Sequence, residues 1–242
     1  MTQTAKLTAS DGAAGDLFGW SAAISGDTLV IGAWRDAIGT NNQQGSAYVF
    51  VKPGEGWVNA TQTAKLIASD GADGDMFGSS STISGDTLVV GAWSDAIGTN
   101  NQQGSAYIFV KPIGGWVDST PTAKLTASDG AAIACFGWSV ALSGDTVVVG
   151  AFGDGIDGKK DQGSAYVFVK SSGGWTNMIE TFKLTAVDGA AGDALGWSVG
   201  IAGDTLVAGA YTDSIGANSQ QGSAYVFSSG PQLLLYLPLV RK

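Results

Sequence analysis

Short runs in which bulky apolar residues alternate with small or polar ones recur along the whole chain, separated by turn-forming residues. Between residues 18 and 25, the side chains of Phe18, Trp20 and Ile24 alternate with small residues, which is the period-two pattern of a β-strand with one bulky face. Residues 28–34 are apolar on both faces and predict a strand that is covered on both sides. A Ser-Gly-Asp-Thr sequence between them predicts a tight hairpin turn.

Two further strands complete this unit. After a polar loop at residues 35–44, a third strand-like run spans residues 45–52. A Gly-rich turn follows, and a fourth run ends at residues 65–68. Four antiparallel strands in one unit are the content of a propeller blade.

The unit occurs four times in register. Gly45 and Gly104, which each open a Gly-Ser-Ala-Tyr sequence, are 59 residues apart, and the sequence returns at Gly163 and Gly222. Because no insertion or deletion breaks this interval, we expect each copy to form the same structure in the same surroundings. The sequence therefore predicts an all-β fold, a β-propeller of four four-stranded blades over residues 1–230.

The two ends of the chain are complementary in sequence. The fourth copy stops after Phe227 without the Lys-Leu-Thr-Ala sequence (Lys-Leu-Ile-Ala in the first copy) that completes the others, and residues 2–9 carry Lys-Leu-Thr-Ala at the start. We predict that the N-terminal strand closes the ring by joining the last blade. Between chains, the same complementarity predicts head-to-tail assembly by strand addition.

An apolar tail, residues 231–242, follows the last copy. Its apolar run is too short to cross a bilayer as a helix. Left in water it is an aggregation segment, so we expect it to dock and to promote oligomers or filaments. The predicted assembly residues are Leu233, Leu234, Leu235, Tyr236, Leu237, Leu239 and Val240.

One lysine stands at the same position of the fourth strand in every copy, at Lys6, Lys65, Lys124 and Lys183. A charge on the edge of a sheet prevents the edge from pairing with another sheet. We interpret these lysines as protection of the exposed outer edges.

The composition excludes several classes of function. With 21 acidic and 12 basic residues the net charge is −9, and an acidic surface repels the phosphates of nucleic acids. The chain has no His, the commonest general base, and its single Cys forms no internal disulfide. Cys135 stands where other copies have Leu17 and Met76, so we interpret it as an apolar filler. We predict that the chain is not an enzyme and has no cofactor.

Repeated acidic residues give two candidate cation sites. Asp11, Asp16 and Asp36 lie in loops that share one face of a blade, where they would either bind a cation or set turn geometry; we interpret them as turn residues. The third copy has three carboxylates among glycines and two lysines, a further candidate for calcium. These candidates are Asp154, Asp157 and Asp161.

Aromatic residues give a candidate ligand face. Trp34 and Trp93 end the second strand of their copies beside a polar loop, and aromatic faces of this kind stack on sugars. The ligand-face candidates are Trp34, Asp36, Trp93, Asp95, Phe152, Tyr211 and Asp213.

The pair Phe18-Gly19 followed by Gly32-Ala33, which the second and third copies repeat, resembles the FG-GAP repeat of integrin-α-like β-propellers. The fourth copy has Leu195-Gly196 instead of the first pair. The resemblance implies a propeller and extracellular adhesion or display. Family members carry a DxDxDG calcium loop between the two elements, whereas here the short Ser-Gly-Asp-Thr turn leaves no room for a calcium cage.

Together these features predict a non-enzymatic structural or adhesion module that self-associates. Two alternatives stay open, a carbohydrate-binding propeller and a calcium-dependent module that binds a cell-surface protein. This numbering contains no signal peptide, so the expected extracellular or cell-surface location rests on the family resemblance.

Overall fold

The computed structural model describes residues 2–228. All secondary-structure elements in that range are β-strands. The four repeats form four consecutive sheets, which we call blades 1 to 4. Among these residues there is no helix with the length and hydropathy needed to cross a membrane.

The strands recur with similar lengths and spacings from blade to blade. Strand β1 (Leu7–Thr8) precedes blade 1. Blade 1 contains β2 (Ala22–Ser25), β3 (Thr28–Ala33), β4 (Ser46–Val51) and β6 (Ala64–Leu66), and the short strand β5 (Ala60–Thr61) lies between β4 and β6 in the chain. Blade 2 contains β7 (Ser80–Ser84), β8 (Thr87–Ala92), β9 (Ser105–Val110) and β10 (Ala123–Thr126). Blade 3 contains β11 (Ser139–Ser143), β12 (Thr146–Ala151), β13 (Ser164–Val169), β14 (Met178–Ile179) and β15 (Phe182–Leu184). Blade 4 contains β16 (Leu195–Ala202), β17 (Thr205–Ala210) and β18 (Ser223–Ser228).

Within a blade the long strands pair antiparallel in chain order, which is β2-β3-β4-β6 in blade 1. Val30 of β3 stands opposite Val49 of β4, and Tyr48 of β4 stands opposite Lys65 of β6. Blades 2 and 3 keep the same register at the equivalent residues. Blade 4 has three strands within the described range, β16-β17-β18.

The outermost strand of a blade also has a neighbour in the following repeat. Strand β10 pairs antiparallel with β9 and parallel with β14, so that Leu125 stands opposite Met178. Leu66 of β6 makes a parallel bridge to Ser119. Strand β1 pairs parallel with β5 in the same manner. Beside blade 1, β1 therefore stands where the outer strand of a preceding blade would stand.

Glycines allow neighbouring blades to approach closely. A Cβ on Gly32 of β3 would lie 1.9 Å from the carbonyl oxygen of Gly78 in blade 2, and Ser21 donates a hydrogen bond of 2.9 Å to that oxygen. Gly45 has a φ of +86° and would place a Cβ 2.0 Å from the carbonyl oxygen of Phe77. No other residue fits these positions without moving the blades apart. The equivalent close pairs are Gly91 with Gly137 and Gly150 with Gly196.

The cores lie between blades. Phe77 and Phe136 are fully buried, as the strand pattern predicts. Phe77 packs edge-on against Tyr107 and Phe109, with ring centroids 5.6 and 6.0 Å apart. Strand β8 is buried on both faces apart from its first residue, which agrees with the prediction for the second strand of a repeat.

The strand predicted over residues 18–25 begins only at Ala22. Leu17 and Gly19 both have positive φ angles, +56° and +98°, and the amide of Trp20 donates to the carbonyl of Leu17. These residues form a turn, in which Phe18 is half-buried against Tyr48 and Phe50, whereas Leu17 and Trp20 are exposed.

Blades 1 to 4 stack in chain order through their innermost strands β2, β7, β11 and β16. Within residues 2–228, no strand pair joins blade 4 to blade 1, because β18 pairs with β17 and β1 pairs with β5. Closure by the N-terminal strand is therefore not confirmed. Within residues 2–228 the blades form an open array, and the tail at residues 231–242 lies outside the described residues.

Candidate functional site

Blades 1 to 3 each hold a largely buried ion cluster around the lysine of the outer strand. In blade 1, Lys65 Nζ lies 2.5 Å from Asp11 Oδ2 and 2.7 Å from Asp36 Oδ2. Tyr48 donates its hydroxyl hydrogen to the same two carboxylates, each at 3.0 Å, and Ser46 donates to Asp36. The lysine thus bridges two carboxylates over a tyrosine ring.

The cluster stabilises its own charges. Burial alone would raise the pKa of Asp11, but hydrogen bonds from Lys65 and Tyr48 outweigh burial and hold that pKa below its usual value. Burial would lower the pKa of Lys65, and its hydrogen bonds to Asp11 and Asp36 raise the pKa instead. The Lys65 ammonium and the Asp11 carboxylate are therefore charged at neutral pH.

The same arrangement recurs in the next two blades. In blade 2 the lysine lies within 2.7 Å of both carboxylates, and in blade 3 the distances are equally short. The members are Lys124, Asp70, Asp95 and Tyr107 in blade 2, and Lys183, Asp129, Asp154 and Tyr166 in blade 3. These lysines are ion-paired, which corrects their interpretation as free charges on exposed edges.

Blade 4 keeps the acidic part of the cluster. Tyr225 donates to Asp188 Oδ1 at 3.0 Å and to Asp213 Oδ2 at 3.3 Å, and Asp213 is buried. The hydroxyl oxygen of Ser223 is buried and has no hydrogen-bond partner within residues 2–228. No Lys or Arg in that range pairs with Asp188 or Asp213. We call Asp188, Asp213, Ser223 and Tyr225 the blade-4 pocket.

Lys6 is the remaining member of the lysine set. Its side chain is exposed and, within the part of the chain that the structure describes, it forms no ion pair. Within residues 2–228, a lysine without carboxylates therefore lies near one end and two carboxylates without a lysine lie near the other.

The other repeated aspartates set turns. Asp16 accepts a hydrogen bond from the amide of Ala13 at 2.6 Å, and Asp75 accepts one from Ala72 at the same distance. The structure therefore brings Asp11 and Asp36, but not Asp16, to a common cation, and that cation is a lysine.

The candidate calcium residues of the third repeat do not share a site. Asp154 belongs to the blade-3 ion cluster, whereas Asp157 and Asp161 occupy separate loop positions with positive φ angles. Across residues 2–228 there is no group of three or more His, Cys, Asp or Glu side chains that would hold a metal ion.

The aromatic candidates Trp34 and Trp93 do come together. With Trp20, Trp138 and Ser79 they line a cleft of about 370 Å³, in which ring centroids of neighbouring tryptophans are 5.5 to 5.6 Å apart. The indole N–H of Trp34 is buried without an acceptor in the described range. The cleft therefore offers flat apolar walls.

An aromatic row continues from this cleft along the array. Trp138 lies 4.7 Å from Trp197 and 4.9 Å from Phe152, and Trp197 lies 4.1 Å from Tyr211, measured between ring centroids. The acidic residues predicted to share this face lie in the ion clusters instead. These residues are Asp36, Asp95 and Asp213.

The two ends of the array expose apolar faces that are interior elsewhere. We call Leu17, Trp20 and Ile24 the blade-1 end face, and Val207 and Val226 the blade-4 end face. Ile24 is 62% exposed, although its repeat equivalent Ile83 is 7% exposed. Val226 is 69% exposed, although its equivalent Val49 is fully buried.

Sequence reasoning missed the ion clusters. Lys65 meets Asp11 across 54 residues, and no local pattern indicates such a pair. One signal was present, since the lysine, both aspartates and the tyrosine recur together at the repeat interval.

Comparisons with known proteins agree with this architecture. The profile of the FG-GAP repeat matches residues 1–50, 60–109, 120–168 and 178–227. The search of curated proteins returned no match.

Among solved structures, the computationally designed protein Ika4 has a TM-score of 0.50 and 14% identity, covering 95% of this chain and 99% of its own. The designed protein Ika8 has a TM-score of 0.45 and 15% identity, covering 86% of this chain and 45% of its own. The WD40 β-propeller domain of Doa1 has a TM-score of 0.43 and 10% identity, covering 79% and 47%. At these identities the likeness to Ika4 bears on the fold alone.

Proposed function

Because this chain belongs to the FG-GAP repeat family, we propose that it is a non-enzymatic, extracellular structural or adhesion module that assembles with further copies of itself. Repeats of this family are typical of extracellular domains, and propeller repeats serve as scaffolds for structure and binding. Assembly would join the blade-4 end face of one copy to the blade-1 end face of the next.

The exposed end faces carry this proposal. Val226 occupies a position that is buried in the three preceding blades, and Ile24 occupies one that is buried or partly buried in the three following blades. Burying a side chain of this size is worth about 1.5–3 kcal/mol, so water-exposed end faces favour association. Since internal blades already pack these two surfaces together, a second copy meets a partner surface of matching shape.

The contact is head-to-tail, because the two faces differ. Such contacts generate a ring when the rotation closes and a filament when it does not. A ring buries every end face, and a filament buries all end faces except the two at its ends. Assembly would therefore give a multivalent surface.

Substitution of one end face tests the proposal. We expect the wild-type protein to show concentration-dependent mass in analytical ultracentrifugation, and Val226→Asp to be monomeric because the charge blocks burial. Ile113→Asp is the matched control, since Ile113 is fully exposed on a turn away from both end faces. A wild-type protein that remains monomeric at its highest soluble concentration would contradict the proposal.

The apolar tail provides a second arm of this experiment. Residues 231–242 are proposed to add to assembly by docking on a neighbouring copy. Removing them should weaken association without abolishing it, because both end faces remain. Full conversion to monomer on removal would assign assembly to the tail rather than to the end faces.

The tryptophan cleft favours a second candidate function, carbohydrate binding. The cleft walls are aromatic, which suits a sugar ring that stacks on one face. On a glycan array, selective binding should disappear in Trp34→Ala and Trp93→Ala. It should persist in Trp57→Ala, which lies outside the cleft, and an array without any selective signal would reject this function.

A further inference from the structure

The junction of blade 1 with blade 2 and that of blade 2 with blade 3 follow one rule. The outer strand of the preceding blade pairs antiparallel with its own blade and parallel with a segment of the next blade, as β10 does with β9 and β14. The lysine of that strand lies between two carboxylates, 2.6 Å from Asp70 and 2.7 Å from Asp95 in the case of Lys124. Strand pairing and ion pairing are thus parts of the same contact.

The two halves of one more junction are present at opposite ends of the chain. At the start, β1 already has its parallel partner β5, and within residues 2–228 its other edge has no strand partner. At the far end, β18 pairs with β17 on one edge only within the same range. Residues 5–7 have the sequence Ala-Lys-Leu of the internal outer strand, residues 64–66.

The charges of these halves are complementary. The blade-4 pocket holds Asp188 and Asp213 around the hydroxyl of Tyr225, with the buried hydroxyl of Ser223 beside them. Two carboxylates that share one hydroxyl repel each other, and a cation between them removes that repulsion. Lys6 is such a cation, and it is exposed and unpaired among the described residues.

Contacts at the start of the chain favour a second copy over the same chain. The amide of Lys6 donates to Asn59 at 2.7 Å, and the amide of Ser10 donates to Gln62 at 2.9 Å. Asp11 is held by Lys65. The N-terminal segment is therefore fixed to blade 1, whereas the pocket lies in blade 4 and both end faces remain exposed.

We propose that residues 5–7 of a second copy form the missing outer strand of blade 4, with the Lys6 ammonium between Asp188 and Asp213. The register follows from blade 1, where Tyr48 stands opposite Lys65 and Val49 opposite Ala64. It places Tyr225 opposite Lys6 and Val226 opposite Ala5 of the second copy. This inference rests on the proposed assembly and assigns the residues that hold the junction.

Single substitutions test the lysine. Removing one partner of a buried, hydrogen-bonded charge pair weakens binding by roughly thirtyfold or more, so Lys6→Ala should weaken association by that factor in analytical ultracentrifugation. Lys160→Ala is the control, because Lys160 is a highly exposed loop lysine. Association that is equally strong in Lys6→Ala and in wild type would overturn the inference while leaving assembly through the end faces intact.

Charge exchange tests the pairing itself. Lys6→Glu and Asp188→Lys should each associate weakly alone, whereas a mixture of the two should associate more strongly. The mixture regains one wild-type junction and, at the other, places a glutamate against a lysine. A mixture no stronger than its components would overturn the inference.

A cysteine pair tests the register and the choice of partner. Directly opposite residues on antiparallel strands are close enough for a disulfide, so a copy with Ala5→Cys and a copy with Val226→Cys should form a covalent dimer on oxidation. Pairing Ala5→Cys with Ala224→Cys shifts the register by two residues and should not. If one chain that carries both Ala5→Cys and Val226→Cys forms only an internal disulfide as a monomer, closure is within the chain and the second-copy inference fails.

Discussion

At the scale of the residue, the outer-strand lysine determines how each blade is held. Lys65, Lys124 and Lys183 each neutralise a buried carboxylate and a half-exposed one. The tyrosine below them donates to both carboxylates, so each cluster is a network of charge-assisted hydrogen bonds. A network of this kind is costly to leave incomplete, because its buried members lose water without gaining partners.

We expect Lys124→Ala to lower the free energy of unfolding by about 2–4 kcal/mol, because Asp95 would stay buried without a counterion. Urea denaturation measures this loss. Lys111→Ala is the matched control, since Lys111 pairs with Asp86 at the surface and such pairs contribute about 0–1 kcal/mol. Equal losses in both variants would show that the cluster adds nothing beyond a surface ion pair.

Asp75 should make stability fall as the pH rises from about 4 to about 6. Burial raises the pKa of Asp75 to about 6 in the folded state, above its ordinary 3.8. The folded protein therefore binds a proton that the unfolded chain has released in this window, and ionisation favours unfolding. Asp75→Asn should remove this decline in denaturation curves measured across the window, whereas Asp86→Asn should keep it.

Asp70 has the opposite effect on how stability depends on pH. Burial would raise its pKa, but hydrogen bonds from Lys124 and Tyr107 lower it, so its contribution is present above the ordinary pKa and is lost as the pH falls further. Sequence reasoning identified their equivalents in the first repeat, Asp11 and Asp16, as turn residues and could not separate the two positions. Their difference comes from a lysine 54 residues away for Asp70, and from burial for Asp75.

At the scale of the element, the apolar run at residues 28–34 predicted a strand correctly, whereas the period-two pattern at residues 18–25 was only partly right. Strand β3 lies within the predicted residues 28–34. The pattern failed at residues 18–21, where bulky and small residues alternate in a turn. The positive φ of Leu17 sets that turn, and a leucine gives no sequence signal for such a conformation.

Glycine contacts between elements should be intolerant of any side chain. A Cβ on Gly91 would lie 2.0 Å from the carbonyl oxygen of Gly137 in the next blade, so Gly91→Ala should cost about 1–3 kcal/mol or more as the blades move apart. Gly114→Ala is the control, because nothing lies within 4 Å of its Cβ position. Thermal melts that are alike for both variants would contradict this packing.

At the scale of the whole molecule, the array has an interior and two ends, and equivalent residues differ between them. Phe77 is fully buried between blades 1 and 2. Phe18, its equivalent in blade 1, packs against Tyr48 and Phe50 but stays half-buried. The repeat predicts equal roles for the two residues, and position in the array makes them unequal.

We therefore expect Phe77→Ala to cost about 3–5 kcal/mol and Phe18→Ala clearly less in dilute solution, by chemical denaturation. If copies assemble, the cost of Phe18→Ala should rise with protein concentration, because binding to the native state adds to stability. If Phe18→Ala and Phe77→Ala lower the free energy of unfolding equally at low protein concentration, Phe18 is covered by residues of its own chain.

The parallel pairing of each outer strand with the following repeat has a consequence for how such chains grow. The chain begins with a strand that belongs beside its first blade, so the 59-residue unit of duplication is offset from the unit of folding. Duplicating any internal unit in phase would add one blade, one lysine and its two carboxylates together, while the first strand and the last pocket stay as they are. Chains with different numbers of repeats would therefore have the same first strand and the same last pocket. By the proposed junction, each could join to the others as readily as to copies of itself.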